Sequence, residues 1–218
     1  MDFTVYAFWT AQLGQQYSDT VFYQSMEKPN TSPYRLPVPN ADAEIVSLCA
    51  GLRRLVVLTA SGSVLSGVNS AWDTKWYTFN STQKFTSCAL LDASHVLLAG
   101  PDMHGTLLNL EFETNTVENV QFSASSDTPL FVSVYRGIGA VYTSSKVVVA
   151  PVRDWLSPVG REYPVVLSTI IGFALGNTDR SLFAAVSDGL LRFNGGENQW
   201  EKYFSASLGG VVAPNLEF

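Results

Sequence analysis

Four stretches of the chain repeat one order of elements: an apolar strand, a short loop, a second apolar strand, a tight turn and a third strand. Their cores run SLCAGLRRLVVLTASGSVLSG from Ser47, SCALLDASHVLLAGPDMHGTLLNLEF from Ser87, FVSVYRGIGAVYTSSKVVVAPV from Phe131 and GFALGNTDRSLFAAVSDGLLRFN from Gly172. The turn positions set the register. Gly62, Gly105, Lys146 and Gly189 each stand between two apolar runs, 43, 41 and 43 residues apart. Glycine suits such a turn because it takes positive φ without a Cβ clash. Lys146 departs from that pattern and requires another turn type. A fourth strand closes each repeat, at Trp76–Phe79, Asn119–Phe122, Tyr163–Val166 and Trp200–Phe204. Pro164 cannot donate to a ladder, so its strand is expected at an edge.

The segments read as strands because Val, Leu, Phe, Tyr and Thr dominate them and turn residues bound them every few positions. No stretch keeps helical spacing for long enough to compete. A sandwich has no reason to repeat a four-strand unit, whereas a blade of about 42 residues is such a unit. One period before Gly62 lies Asp19, in Tyr17-Ser18-Asp19. Strands are expected at Val5–Thr10, Thr20–Tyr23 and Tyr34–Val38, so this N-terminal blade lacks its innermost strand. Gly209-Gly210-Val211-Val212-Ala213 stands where a further innermost strand would begin. The repeats resemble those of the β-propeller superfamily, WD40-like and RCC1-like repeats in general. The resemblance implies an all-β chain: one five-bladed β-propeller domain over residues 1–218. Its blades fall near 1–40, 41–83, 84–125, 126–169 and 170–207. A C-terminal strand at 209–213 joins the N-terminal blade and closes the ring.

Composition narrows the function. Charged residues make up 15% and apolar ones 46%, yet no apolar run approaches the roughly 20 residues of a spanning helix. Membrane insertion is therefore not expected. The net charge is −6, and Arg53-Arg54 is the one adjacent basic pair, which argues against direct nucleic-acid binding. The start Met1-Asp2-Phe3 lacks the basic region of a signal peptide, so an intracellular chain, cytoplasmic or nuclear, with reduced thiols at Cys49 and Cys88 is expected. Under that reading the sequons at Asn30 and Asn80 are chance matches.

The residues do not form a catalytic constellation. His95 and His104 are the two histidines, and their spacing matches no helical zinc pair. Ala60-Ser61-Gly62-Ser63 is a turn rather than a nucleophile elbow. The expected innermost strands, Val46–Ala50, Ser87–Leu91, Phe131–Tyr135, Gly172–Ala174 and Val211–Ala213, contain no Asp or Glu. A channel so lined cannot supply the paired carboxylates of a glycosidase. No enzyme activity, catalytic residue, metal or cofactor is expected. Four of the five tryptophans divide in two. Trp76 and Trp200 hold equivalent outer-strand positions and read as packing, whereas Trp72 and Trp155 fall in loops, where an aromatic can anchor a partner. These two are the candidate binding residues. The expectation is a protein-interaction scaffold, a subunit of a multisubunit assembly whose partners are proteins. A propeller-type lectin is the alternative, and a five-bladed glycosidase ranks third.

Overall fold

The computed structural model describes residues 6–10, 20–28, 30–38, 44–51, 54–70, 73–110, 117–152, 161–164, 170–176, 181–186, 189–194, 197 and 199–205. They form nineteen strands in antiparallel sheets, divided between two compact units, Met1–Lys84 and Phe85–Phe218.

The first unit holds a three-stranded sheet of β1 (Tyr6–Thr10), β2 (Thr20–Ser25) and β3 (Tyr34–Pro37). Beside it lies a four-stranded sheet of β4 (Ile45–Gly51), β5 (Arg54–Thr59), β6 (Ser63–Ser70) and β7 (Asp73–Asn80). Val21 of the smaller sheet and Val38, just past its last strand, share a buried cluster with Ile45, Leu55, Val57 and Leu65 of the larger, and Trp76 packs against it. The second unit stacks three four-stranded sheets. They are β8 (Ser87–Leu90), β9 (His95–Ala99), β10 (His104–Asn109) and β11 (Val117–Gln121); β12 (Phe131–Tyr135), β13 (Ile138–Tyr142), β14 (Lys146–Pro151) and β15 (Arg161–Pro164); and β16 (Gly172–Leu175), β17 (Leu182–Val186), β18 (Gly189–Asn194) and β19 (Gln199–Ser205). In every four-stranded sheet, spatial order follows chain order.

The uninterrupted run Val147-Val148-Val149-Ala150 follows from this stacking. Successive side chains of a strand point to opposite faces, so a strand buried on both faces must be apolar throughout. Val148 and Ala150 join the cluster shared with β8–β11, while Val147 and Val149 join the one shared with β16–β19. Each fully buried valine contributes about 1.5–3 kcal/mol.

The register read from the sequence holds, with two corrections. Gly62 occupies the β5–β6 turn at φ +96°, as the spacing requires. Gly105 does not sit in a turn. It lies within β10, and the turn is made by Pro101-Asp102-Met103, where Asp102 and Met103 take φ of 59° and 55°. Glycine is needed at 105 for closeness: a Cβ there would stand 2.4 Å from the Leu98 carbonyl oxygen and 2.5 Å from the Phe122 ring. At Lys146, which begins β14, a threonine replaces the glycine device. Thr143 Oγ1 accepts hydrogen bonds from the backbone N–H of Ser145 (3.2 Å) and of Lys146 (3.1 Å). Thr59 Oγ1 likewise accepts from Ser63 N–H at 3.1 Å. The second correction concerns the thiols: Cys49 and Cys88, both buried, are disulfide-bonded rather than reduced. Spacing along a chain does not report where strands carry a sulfur.

The three strands of the N-terminal sheet lie where expected, and β1 lies beside β4 as the second strand β13 lies beside β16. Pro164 ends β15, the last strand of its sheet, as an edge proline should. The turn at Asp19 and the strand at 211–213 lie outside the described residues.

Candidate interaction surface

The first strands of the sheets in the second unit are joined by side chains. β8, β12 and β16 are neighbours at the ends of their sheets, so each has one backbone edge outside its own ladder. Ser87 Oγ in β8 accepts a hydrogen bond from Val132 N–H in β12 at 3.0 Å, and Ser133 Oγ in β12 accepts one from Leu175 N–H in β16 at 3.0 Å. A buried amide left unpaired would cost about 1–3 kcal/mol, so these serines hold the sheets in register. The described first strands read Ile-Val-Ser-Leu-Cys-Ala-Gly, Ser-Cys-Ala-Leu, Phe-Val-Ser-Val-Tyr and Gly-Phe-Ala-Leu, with no acidic or imidazole group.

Titratable groups gather elsewhere. At the β8–β9 turn, Asp92 accepts from the backbone N–H of Ser94 (2.7 Å) and of His95 (2.8 Å), and its carboxylate lies 3.0 Å from His95 Nδ1. Burial pushes the Asp92 carboxyl up, but these N–H groups and the imidazole outweigh it and hold the group below its ordinary value. This is an Asx turn with a histidine docked on it. His104 starts the next strand near the other end of the same hairpin, so the two histidines do not meet. Between β8–β11 and β12–β15, Lys146 Nζ reaches Glu162 Oε1 at 2.9 Å, and Ser123 Oγ donates to the same oxygen at 2.9 Å. The lysine, then the serine, hold the Glu162 carboxyl below its usual range. Among the described residues, no group of three or more His, Cys, Asp or Glu side chains could hold a metal ion.

Aromatic exposure concentrates on the last strand of three sheets. Tyr34 in β3 is 57% exposed, Tyr77 in β7 52% and Tyr203 in β19 62%. Tyr34 stacks on Tyr23 at 5.2 Å, and Tyr203 meets Phe183 edge-on at 5.5 Å. Their partners hold one flank of each ring and leave the other in water. Sequence reasoning missed these tyrosines, because a tyrosine in a strand reads as packing. The signal available was position: each lies on the closing strand of its repeat, which is an edge. The candidates Trp72 and Trp155 lie outside the described residues. Trp76 and Trp200 pack as expected, Trp200 meeting Phe193 edge-on at 5.4 Å.

Stacked antiparallel sheets with side-chain-linked first strands and edge-forming last strands are blade-like, and this all-β fold is similar to that of solved WD40-repeat structures. The chain is similar to a structure of U3-55K and to the RRP9 WD40 repeats, each at a TM-score of 0.64 and 11% identity. Each match covers 85% of this chain and 58% of the solved one. It is also similar to Hsv2 of Kluyvelomyces marxianus, at a TM-score of 0.53 and 12% identity, covering 82% of this chain and 57% of that one. The chain thus spans under three fifths of each of these three structures. No family model matches the sequence, and no curated protein does.

Proposed function

We propose that the chain is a non-enzymatic protein-interaction scaffold, a subunit of a larger intracellular assembly. The observation that carries this reading is the division of labour between strands. First strands bear serines that hold sheet to sheet and no acid–base pair, while last strands turn tyrosines outward. Tyrosine is among the side chains that dominate protein interfaces. WD40 repeat structures among the similar folds support the same reading. Trp72 and Trp155 are proposed as anchors in the loops. Affinity purification from cells at native expression tests this: a reproducible stoichiometric protein partner is expected. Micromolar binding on a glycan array with no such partner would favour a lectin instead. The intracellular setting has its own test, because disulfides such as those of Cys49 and Cys88 are rare in reducing compartments: on cell fractionation the chain is expected with cytosolic or nuclear protein, and recovery from the secreted fraction overturns that part of the proposal.

We further propose one five-bladed domain in which Val211–Ala213 supplies the innermost strand of the β1–β3 sheet. The support is that β1 takes the place of a second strand beside β4. A chain ending at Leu208 is then expected to lose cooperative unfolding. Melting at the temperature of the full chain would sink the assignment.

A further inference from the structure

The last strands differ in how they are guarded. An edge strand offers unpaired N–H and C=O groups to any other chain, and proteins blunt such edges with short strands, prolines, charges and bulges. β3 has four residues and ends in Pro37, and β15 has four and ends in Pro164. β11 has five, with Glu118 among them. β19 carries adjacent Glu201 and Lys202, and its ladder with β18 is broken by a bulge at Leu190/Leu191. β7 has eight residues, no proline and an unbroken ladder of eight pairs with β6. Its charged residues, Asp73 and Lys75, lie at one end. The remaining run, Trp76-Tyr77-Thr78-Phe79-Asn80, is uncharged and rich in β-forming residues.

We propose that β7 pairs edge to edge with β7 of a second copy of this chain, antiparallel and centred on Thr78. The register follows from symmetry and charge. A two-fold axis normal to the sheet brings together residues of like parity, because paired residues face the same side. Centring on Lys75 would oppose two ammonium groups. Centring on Trp76 or Tyr77 would draw Lys75 into the ladder against an aromatic residue. Centring on Thr78 pairs Thr78 with itself, Tyr77 with Phe79 twice and Trp76 with Asn80 twice. The uncharged run is then matched to its own copy, and both charged positions fall beyond it. Threonine pairs and aromatic pairs are among the favourable cross-strand contacts. Tyr77 and Thr78 are exposed, so their side chains are open to such a partner. A contact of this length is smaller than a standard stable interface, so the dimer is weak and concentration-dependent.

The test uses the 218-residue chain in sedimentation velocity over a concentration series. A reversible monomer–dimer equilibrium is expected by about 100 μM. Thr78→Lys and Thr78→Glu each place like charges opposite one another and should weaken dimerisation by about tenfold or more. An equimolar mixture of the two variants should dimerise again, because lysine then faces glutamate. Circular dichroism melts checks that each variant folds like the original chain. A chain that stays monomeric at about 100 μM, or a mixture no more dimeric than either variant alone, overturns the proposal. The inference stands apart from the scaffold reading: a dimer with no other partner keeps this one and removes that one.

Discussion

The sheet β12–β15 meets β8–β11 through Val141, Val148 and Ala150, packed with Ala89, Leu97, Met103 and Phe122. It meets β16–β19 through Ala140, Tyr142, Val147 and Val149, packed with Phe173, Leu182 and Phe193, with Tyr163 and Trp200 at the margin. The first seam is aliphatic apart from Phe122, and the Lys146–Glu162–Ser123 cluster closes its rim. The second is aromatic: Tyr142 lies 5.5 Å from Phe173, and Tyr163 lies 4.9 Å and Trp200 5.4 Å from Phe193. One sheet thus joins its neighbours in two ways. Aliphatic side chains fill one seam with a polar clasp outside, whereas rings fill the other with tilted and edge-to-face contacts.

The strongest way to break this comparison is Tyr142→Ala. Removing a buried ring should cost about 3–5 kcal/mol in urea unfolding, against about 2 kcal/mol for Val148→Ala on the aliphatic side. Equal losses would mean that the two seams are not different in kind. Gly105→Ala tests the close packing inside the β8–β11 sheet that borders the first seam. Its Cβ would meet the Leu98 carbonyl oxygen at 2.4 Å, a backbone atom that cannot swing aside. A loss of about 1–3 kcal/mol is expected, and an unchanged midpoint would refute the close approach. Ser87→Ala leaves the Val132 amide without its acceptor and should cost about 1–3 kcal/mol; Ser133→Ala should match it across the second seam. Unequal costs would show that only one of the serines bears on stability.

The smallest effects are the most discriminating, because they fall at opposite ends of the pH scale. Lys146 and Ser123 hold the Glu162 carboxyl below its ordinary 4.5. Its contribution is complete above that value and is lost as pH falls through the lower folded one. Glu162 is half exposed, so at most about 1 kcal/mol is at stake. Glu162→Gln should remove that part of the acid sensitivity. Burial raises the Tyr142 phenol above its ordinary 10.0. The fold favours the neutral ring, so this contribution is complete below pH 10.0 and is lost as pH rises through the higher folded value. Tyr142→Phe should flatten the alkaline limb while leaving the acid limb alone. A change in the acid limb in that variant would argue against separate seams.

Much of this was legible in the residues. The spacing of Gly62, Lys146 and Gly189 located the start of each third strand because a turn constrains the chain locally. The three valines and the alanine of β14 carry the same kind of local signal, for burial on both faces. Gly105 shows the limit. Its place in the period was right, but its purpose depends on Phe122, which reaches it across the adjoining strand pair. The disulfide state of Cys49 and Cys88, the exposure of Tyr34, Tyr77 and Tyr203 and the separation of His95 from His104 depend likewise on relations that are not local in sequence. The role of Trp72 and Trp155 rests on their loop positions alone.

The serine contacts between first strands carry one more consequence. Val132 and Leu175 receive their acceptors from side chains 45 and 42 residues earlier, not from a backbone neighbour. A side chain can follow a small shift of the strand beneath it, whereas a backbone ladder changes register by whole residues. The connections between these sheets can therefore gain or lose residues over time without disturbing the stack. In hydrogen–deuterium exchange, the two outward amides should be as slow as amides within the sheets. Wherever repeats of this kind drift apart in sequence, a serine in the first strand is the position whose retention would mark two blades as still neighbours.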